Sequence, residues 1–254
     1  MDARSPSSIR QSPWLPFESR RRARDEKREA VLGTAVQLFL EQGYHRTTLN
    51  DVAERLNITK PALYNYFRGK DEILFECWAI GNERVDDCIN EIASGGGTGL
   101  ARLRKLILSY AAVMTTDYGK SLVRFDVRDL TEHNRRTVNT AKRKIDRAFR
   151  DYIAEGIADG TIKPCDPKLS AFAIAGSLNW IGHWFQPGGP MTAEAIAEEF
   201  AIRLTEGIAT TSTRKKADKP PRKTEASRED QDERHARTAP RAAGQSKRAR
   251  HRLR

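Results

Sequence analysis

Residues 47–67, TTLNDVAERLNITKPALYNYF, constrain the fold more than any other stretch of this 254-residue chain. They contain two short segments of helical periodicity, separated by a tight turn at Asn57. The first segment carries Val52 on its apolar side, and the second carries Leu63 and Phe67 opposite a polar side. Neither segment is long enough to hold a core, so both must pack on a longer helix.

Local signals place the ends of these two segments. Thr48 and Asp51 form a capping box, which predicts a helix start. Asn57 tolerates the left-handed conformation that a tight turn requires. Thr59 is a good N-cap for the second segment, and Pro61 falls in its first turn, where a missing N–H matters little.

The longer helix is predicted just upstream, from Asp25 to about residue 42. Its apolar residues recur at i, i+3, i+4 and i+7, which marks one helix face: Leu32, Ala35, Val36 and Phe39. Gly43 is suited to end this helix.

The rest of the chain to about residue 209 also has helical periodicity. Asp71 is predicted to cap a long segment, and no stretch alternates apolar and polar residues as a strand would. The sequence therefore predicts an all-α fold, with further helices at about 71–93, 99–116, 119–128, 131–159, 166–185 and 192–209.

The net charge of +11 is concentrated at the two ends of the chain. Residues 1–24 contribute +4, residues 25–210 contribute −2 and residues 211–254 contribute +9. The C-terminal segment has almost no large apolar side chain, so we expect it to be disordered. The domains predicted are a flexible arm (1–23, where Trp14 and Phe17 either dock on the body or stay exposed), a helix-turn-helix domain (24–70), a second helical domain (71–210) and a basic tail (211–254).

The cysteines and the lengths of the apolar runs indicate in which cellular compartment the protein resides. Cys77, Cys88 and Cys165 are odd in number and form no C-x-x-C pair, which favours free thiols in a reducing cytoplasm. No stretch reaches 18 apolar residues, and no secretory signal precedes the helices. We expect a cytoplasmic protein with no membrane span, no metal site and no cofactor.

Two short helices joined by a tight turn, the second with a polar outer side, are typical of a helix-turn-helix that places one helix in the major groove. Lys60 can donate to guanine or a phosphate, Asn65 can pair with adenine, and Tyr64 suits a phosphate. The same pattern also fits an ordinary three-helix subdomain with a wet surface. The candidate DNA contacts are Thr47, Thr48, Thr59, Lys60, Pro61, Ala62, Tyr64, Asn65, Tyr66 and Lys70.

Residues 28–74 resemble the N-terminal domain of the TetR/AcrR family of transcriptional regulators. The matching features occur in order: A-x-x-L-F from Ala35, Gly43-Tyr44, Thr47-Thr48, Val52-Ala53, L-Y-x-Y-F over Leu63–Phe67 and the K-x-x-L element over Lys70–Ile73, with Ile73 in the leucine position. Asn57 stands where the family often has glycine, and it tolerates the same backbone.

This resemblance implies a homodimer that binds palindromic double-stranded operator DNA and responds to a small-molecule effector. It implies a dimer interface built from the last two helices, about 166–185 and 192–209. The helix at about 71–93 would link the effector site to the DNA-binding helices. Small residues such as Ala173 and Gly176 permit the close helix approach that such an interface needs.

The stretch SLNWIGHWFQPGGP, residues 177–190, is the candidate regulatory site. Trp180 and Trp184 are four residues apart, so they share a helix face. Their aromatic rings, with the imidazole of His183, suit either the wall of a ligand cavity or packing in the core and dimer interface. The candidate effector contacts are Trp78, Met114, Arg124, Phe125, Arg128, Asn179, Trp180, His183 and Trp184.

The same stretch is similar to the C-terminal part of TetR-like regulators that respond to acyl-CoA thioesters, including regulators of steroid catabolism. That similarity implies an apolar acyl or sterol-derived group in the cavity and basic residues on the CoA phosphates. The candidate basic residues are Arg102, Arg104, Arg124, Arg128, Arg135 and Arg136. The alternative is that these arginines form surface ion pairs, Arg124 and Arg128 with Asp126 and Asp129.

Two other functions were weighed against a ligand-responsive repressor. An enzyme is disfavoured because the chain has no P-loop, no G-x-S-x-G, no H-E-x-x-H and no paired catalytic carboxylates in a credible setting. A sequence-independent DNA-binding protein remains open, because a basic tail attracts phosphates through counterion release.

Overall fold

The computed structural model describes residues 17–210 of the chain. Residues 1–16 and the predicted basic tail, 211–254, lie outside the described residues, so the predictions for Trp14 and the tail are left as they stand. The described residues belong to one compact unit. They form nine α-helices: α1 (Phe17–Gln42), α2 (Leu49–Arg55), α3 (Lys60–Tyr64), α4 (Lys70–Ser94), α5 (Gly99–Met114), α6 (Asp117–Arg124), α7 (Glu132–Ala158), α8 (Pro167–Trp184) and α9 (Ala193–Glu206).

The all-α prediction is confirmed for this part of the chain, where an isolated bridge between Ile162 and Ala209 is the nearest approach to a sheet. No helix between residues 17 and 210 is long and apolar enough to cross a membrane. The division at residue 70 into two domains stays a prediction, since α1 to α9 pack as one unit.

The first helix starts eight residues earlier than predicted, at Phe17 rather than Asp25. The sequence-based start relied on apolar periodicity, which residues 17–24 lack. They contain no helix breaker after Pro16, and Glu18 places a carboxylate in the first turn, where the helix dipole favours it. The last seven residues of the predicted arm are therefore helical.

The caps and turns around α2 and α3 are those that the sequence predicts. The Thr48 hydroxyl accepts a hydrogen bond from Asp51 N at 3.2 Å, and Asp51 Oδ2 accepts one from Thr48 N at 2.7 Å, which confirms the capping box. Asn57 is left-handed at φ 53°, and Gly43 ends α1 at φ 90°. Thr59 is the N-cap of α3 by backbone conformation, without a side-chain hydrogen bond.

Two helix boundaries differ from the prediction. The N-cap of α4 is Gly69, so Asp71 lies inside the first turn instead of capping it. The predicted helix at 119–128 is interrupted: α6 ends at Arg124, Phe125 is extended, and a 3₁₀ turn spans Val127–Asp129. The Asp126 carboxylate caps that turn by accepting a hydrogen bond from the backbone of Arg128 at 2.9 Å.

The core is centred on α5, which packs against α4, α7, α8 and α9. Leu103, Leu106 and Ile107 of α5 are fully buried. The ring of Tyr110 meets Phe149 of α7 edge-on at 5.7 Å between centroids. The apolar face predicted for α7 is confirmed, since Ile145, Phe149, Tyr152 and Ile153 are all buried.

α4 crosses α6 at a glycine. A Cβ built on Gly81 would lie 2.3 Å from the carbonyl oxygen and 2.9 Å from the carbonyl carbon of Tyr118. Because these are backbone atoms, no rotamer change can make room, and the crossing needs a residue without a side chain.

We expect Gly81→Ala to destabilise the fold by about 1–3 kcal/mol through overpacking, although alanine favours a helix more than glycine does. Urea unfolding of the full chain would measure this. The control is Gly207→Ala, where an added Cβ meets no atom within 4 Å and the stability should hold or rise. Equal stability of the two variants would contradict the close crossing.

Candidate functional site

The outer side of α3 is the polar surface that the sequence predicts. Thr59, Lys60, Pro61 and Tyr64 are exposed on it, and Ala62 is half-buried. The inner side is held by two fully buried side chains, Leu63 and Phe67. Thr48 is exposed at the start of α2.

The helix is shorter than the sequence pattern indicates. It ends at Tyr64, so Asn65 and Tyr66 lie in the turn that follows. Asn65 is exposed and Tyr66 is half-buried. These two residues therefore face the space beside α1 as well as the outer side of α3.

One of the predicted DNA contacts is contradicted by the structure. Thr47 is fully buried, and its hydroxyl donates to the carbonyl oxygens of Leu38 at 3.2 Å and Gly43 at 3.0 Å. Its side chain holds the end of α1 against the start of α2. A threonine pair in the sequence does not reveal which member points inward.

Lys70, which the sequence also predicts as a DNA contact, is half-buried and takes part in the packing of the fold. Its ammonium donates to the carbonyl oxygens of Tyr44 at 2.6 Å and Thr47 at 2.8 Å, and it lies 4.1 Å from the centre of the Tyr44 ring. Burial raises the pKa of that tyrosine to about 12. Lys70 thus ties the start of α4 to the loop after α1. Its ammonium has a third N–H donor, so a phosphate contact by Lys70 stays a prediction.

A basic groove beside α3 was missed by the sequence analysis, which assigned part of its residues to a flexible arm. It has a volume of about 520 Å³ and is lined by Arg20, Ala23, Arg24, Lys27, Asn65 and Tyr66. The spacing of the four α1 residues, i, i+3, i+4 and i+7, was the signal that could have revealed it.

The second concave site is a cavity of about 440 Å³ between α4, α5, α6, α7 and α8. The residues that line it are Trp78, Tyr110, Leu122, Val123, Phe125, Lys142, Ile145, Asp146, Phe172, Ala175, Asn179 and His183. Four of the predicted effector contacts are among them: Trp78, Phe125, Asn179 and His183.

The other five predicted effector contacts do not line the cavity. Met114 is fully buried in the core. Trp180 and Trp184 point away from the cavity and are 63% and 43% exposed. Their shared face is the outer face of α8. The helical periodicity predicts that the two rings share a face, but not whether that face points toward the cavity or toward solvent.

Arg124 and Arg128 also lie outside the cavity. The predicted helix at about 119–128 does not run through both of them, because the chain is extended between them. Arg124 donates to the carbonyl oxygen of Leu40 at 3.0 Å, and Arg128 pairs with Asp126. The pairing predicted as the alternative is thus confirmed for Arg128 but not for Arg124.

The other arginines suggested for CoA phosphates are also engaged in ion pairs. Arg102 pairs with Glu155 at 3.0 Å, and Arg104 pairs with Glu198 at 2.8 Å. Arg135 and Arg136 both pair with Glu132, and none of the four lines the cavity.

The polar groups of the cavity come mostly from residues that the sequence analysis did not select. The Tyr110 hydroxyl donates to Asn179 Oδ1 at 2.8 Å, and burial raises the pKa of that tyrosine. Asp146 pairs with Arg150, whereas Lys142 has no ion-pair or hydrogen-bond partner within residues 17–210. Desolvation lowers the pKa of Lys142, and the charge of Asp126 opposes that effect.

The cavity wall is in direct contact with α1. The Phe125 ring, part of the wall, meets Phe39 edge-on at 5.8 Å between centroids. A second contact joins the loop after α1 to the 3₁₀ turn, where His45 Nε2 lies 3.2 Å from Asp129 Oδ1. No cluster of three metal-ligating side chains occurs among the described residues.

Family models match two adjoining parts of the chain. Residues 31–77 match the model described as bacterial regulatory proteins, tetR family. Residues 96–208 match the model described as tetracyclin repressor-like, C-terminal domain.

Related sequences agree with these models. The HTH-type transcriptional repressor KstR2 of Mycolicibacterium smegmatis is 25% identical over 192 residues, covering 72% of this chain and 90% of the relative. The HTH-type transcriptional regulator HbdR of Aromatoleum sp. (strain CIB) is 25% identical over 205 residues, covering 80% and 89%.

Solved structures share the fold. KstR2 of Mycobacterium tuberculosis superposes with a TM-score of 0.69 at 21% identity, covering 72% of this chain and 95% of that one. AibR, solved in complex with isovaleryl coenzyme A and operator DNA, superposes with a TM-score of 0.63 at 25% identity, covering 70% and 98%. The helix-turn-helix of α2 and α3, the matched models and these relatives together show that the chain belongs to the TetR family of DNA-binding transcriptional regulators.

Proposed function

We propose that this protein is a homodimeric repressor that binds a palindromic operator and is released from it by an apolar acid or its CoA thioester. The observation that carries the proposal is the contact between Phe125 and Phe39. It joins the wall of the 440 Å³ cavity to α1, the helix on which the DNA-reading helices pack.

The exposed side of α3 supports the DNA-binding half of this proposal. Lys60 has no partner among residues 17–210, and Tyr64 and Thr59 are exposed beside it, so all three are free to meet DNA. The N-terminal residues of a helix in the major groove reach base edges, while flanking side chains hold phosphates. The contacts proposed are Thr48, Thr59, Lys60, Pro61, Ala62, Tyr64, Asn65 and Tyr66.

The outer face of α8 supports a homodimer. Leu169, Phe172, Trp180 and Trp184 are all more than 40% exposed along this one helix. Ala173 and Gly176 lie between them and permit close approach of a second helix. A self-complementary apolar stripe of this kind is typical of a two-fold interface, to which α9 adds Ile202.

The cavity supports an effector with an apolar body and one acidic or carbonyl group. Its walls include the rings of Trp78, Tyr110, Phe125 and Phe172, and Lys142 supplies a cation without an ion-pair partner in the described region. Its volume suits a ligand of drug size rather than a whole acyl-CoA. The relative AibR was solved with isovaleryl coenzyme A, so we propose that an acyl group enters this cavity and the CoA part stays outside.

Selection of operator sequences from random duplex DNA tests the first half of the proposal. A repressor should enrich a palindrome and keep about 10³-fold or more preference for it over random DNA. A sequence-independent binder would enrich nothing at any salt concentration. Acyl-CoA thioesters, free acids and cationic compounds would then be tested for thermal stabilisation and for release of the selected operator.

We expect Lys60→Gln to weaken operator binding by about 1–3 kcal/mol per half-site, because Lys60 is exposed on α3 and free to donate. Lys70→Gln should instead lower the melting temperature, because its ammonium holds two carbonyl oxygens inside the fold. Fluorescence anisotropy and thermal unfolding separate the two effects.

Lys105→Gln is the control for the loss of charge, since Lys105 is exposed on α5. Lys105→Gln should change neither the operator affinity nor the melting temperature. Operator affinity that falls for Lys70→Gln at unchanged stability, or that is untouched by Lys60→Gln, would contradict this assignment of α3.

For the effector we expect Lys142→Gln to weaken binding of an acidic or thioester ligand about tenfold, a loss of about 1.4 kcal/mol, through loss of a charge-assisted contact. Operator affinity without effector should not change. Isothermal titration calorimetry measures the first quantity and anisotropy the second.

Arg143→Gln is the matched control, because Arg143 is exposed next to Lys142 on α7 but does not line the cavity. If both variants bind the effector as the unaltered protein does, the cavity cation plays no part in recognition. If only uncharged or cationic compounds release the operator, the effector class is wrong.

A further inference from the structure

The basic groove beside α3 is separate from the surface of α3 itself. Its α1 side is formed by Arg20, Arg24 and Lys27, and its other side by Asn65 and Tyr66. Arg20, Arg24, Lys27 and Asn65 are exposed, so their polar ends are available to a partner.

The three cations continue a row that is apolar inside the protein. Arg20, Arg24 and Lys27 are followed at the same helical spacing by Val31, Ala35 and Leu38, which are all buried. The row becomes cationic only in the N-terminal part of α1, next to the turn after α3. Neighbouring carboxylates at Asp25, Glu26 and Glu29 fall on other sides of the helix at this spacing.

The groove is held in place at its inner end. Arg28 forms a bidentate pair with Glu76 of α4, and its guanidinium stacks at 4.5 Å over the ring of Phe67. The hydrogen bonds that Arg28 donates to the Glu76 carboxylate raise the pKa of Arg28. This arginine therefore satisfies its charge inside the protein, whereas Arg20, Arg24 and Lys27 have no ion-pair partner among the described residues.

We infer that this groove binds the phosphate backbone of duplex DNA flanking the site read by α3, so that each protomer covers more DNA than its recognition helix alone. The inference rests on the proposed DNA-binding function and adds a second contact surface to it. Three unpaired cations with hydrogen-bonding Asn65 and Tyr66 are the chemistry that binds a run of phosphates without reading bases.

The dimensions fit this role. Residues 20–27 rise about 10 Å along α1 at about 1.5 Å per residue. Successive base pairs are about 3.4 Å apart along the DNA axis, so this length matches about three of them. The groove thus has the reach for two or three phosphates on one strand.

The test compares two variants of the full chain with the same charge loss on the same helix. Arg20→Gln/Arg24→Gln removes groove cations, and Arg21→Gln/Arg22→Gln removes exposed arginines that do not line the groove. The slope of log affinity against log salt is measured by anisotropy on the selected operator, on the same operator trimmed to its half-sites, and on random duplex.

The groove variant should lose about 3 to 4 units of slope per dimer, since each phosphate contact contributes about 0.9 and four cations are removed. The control variant should lose much less. Trimming the flanks should weaken the unaltered protein but not the groove variant. The preference for operator over random duplex should be unchanged, because phosphate contacts do not read sequence.

Equal slopes for the two variants, or a groove variant that still responds to trimming, would overturn the inference while leaving the proposed function intact. A protein that selects no operator would instead refute the proposed function. The slopes on random duplex would then still decide whether the groove binds a DNA backbone. Tighter binding of single-stranded DNA or RNA than of duplex would reject duplex DNA as the partner.

Discussion

The packing of α4 and α6 against α1 is the constraint on which the rest of the structure depends. Gly81 lets α4 and α6 touch backbone to backbone, and burial of Cys77 beside it raises the pKa of that thiol and keeps it inert. Phe125, at the end of α6, then reaches both the cavity and Phe39 of α1. A change in the shape of the cavity is expected to shift the side chains at this junction, because packed interiors repack rather than stretch.

This junction would couple the proposed effector cavity to the DNA-binding helices. α1 supports the DNA-reading helices through its buried face, and Lys70 fixes the start of α4 to the loop after α1. A ligand that fits the cavity better in one arrangement of α4, α6 and Phe125 therefore shifts the population of that arrangement. The exposed stripe of α8 would transmit the shift across a dimer, because Phe172 belongs both to this stripe and to the cavity lining.

Much of the fold could be predicted from the sequence, and less of the sites. Caps and turns such as Thr48 and Asn57 are local, so short-range chemistry identifies them. Whether a side chain points inward depends on neighbours distant in sequence, so the sequence did not show that Thr47 is buried or that Trp180 is exposed. Lys142 could not be selected from the sequence, because it becomes part of the cavity lining only when α4, α5, α6 and α8 come together beside α7. The basic groove was hidden because residues 17–24 lack apolar periodicity, although they are helical.

The most direct test of the account is the factor by which effector weakens operator binding in Phe125→Leu compared with the unaltered protein. Leucine keeps an apolar wall but removes the ring contact with Phe39. The account predicts that effector and operator each still bind, while the coupling between them falls by at least 1 kcal/mol, about fivefold. Full coupling in this variant, with both affinities unchanged, would show that the signal does not pass through the contact of Phe125 with α1.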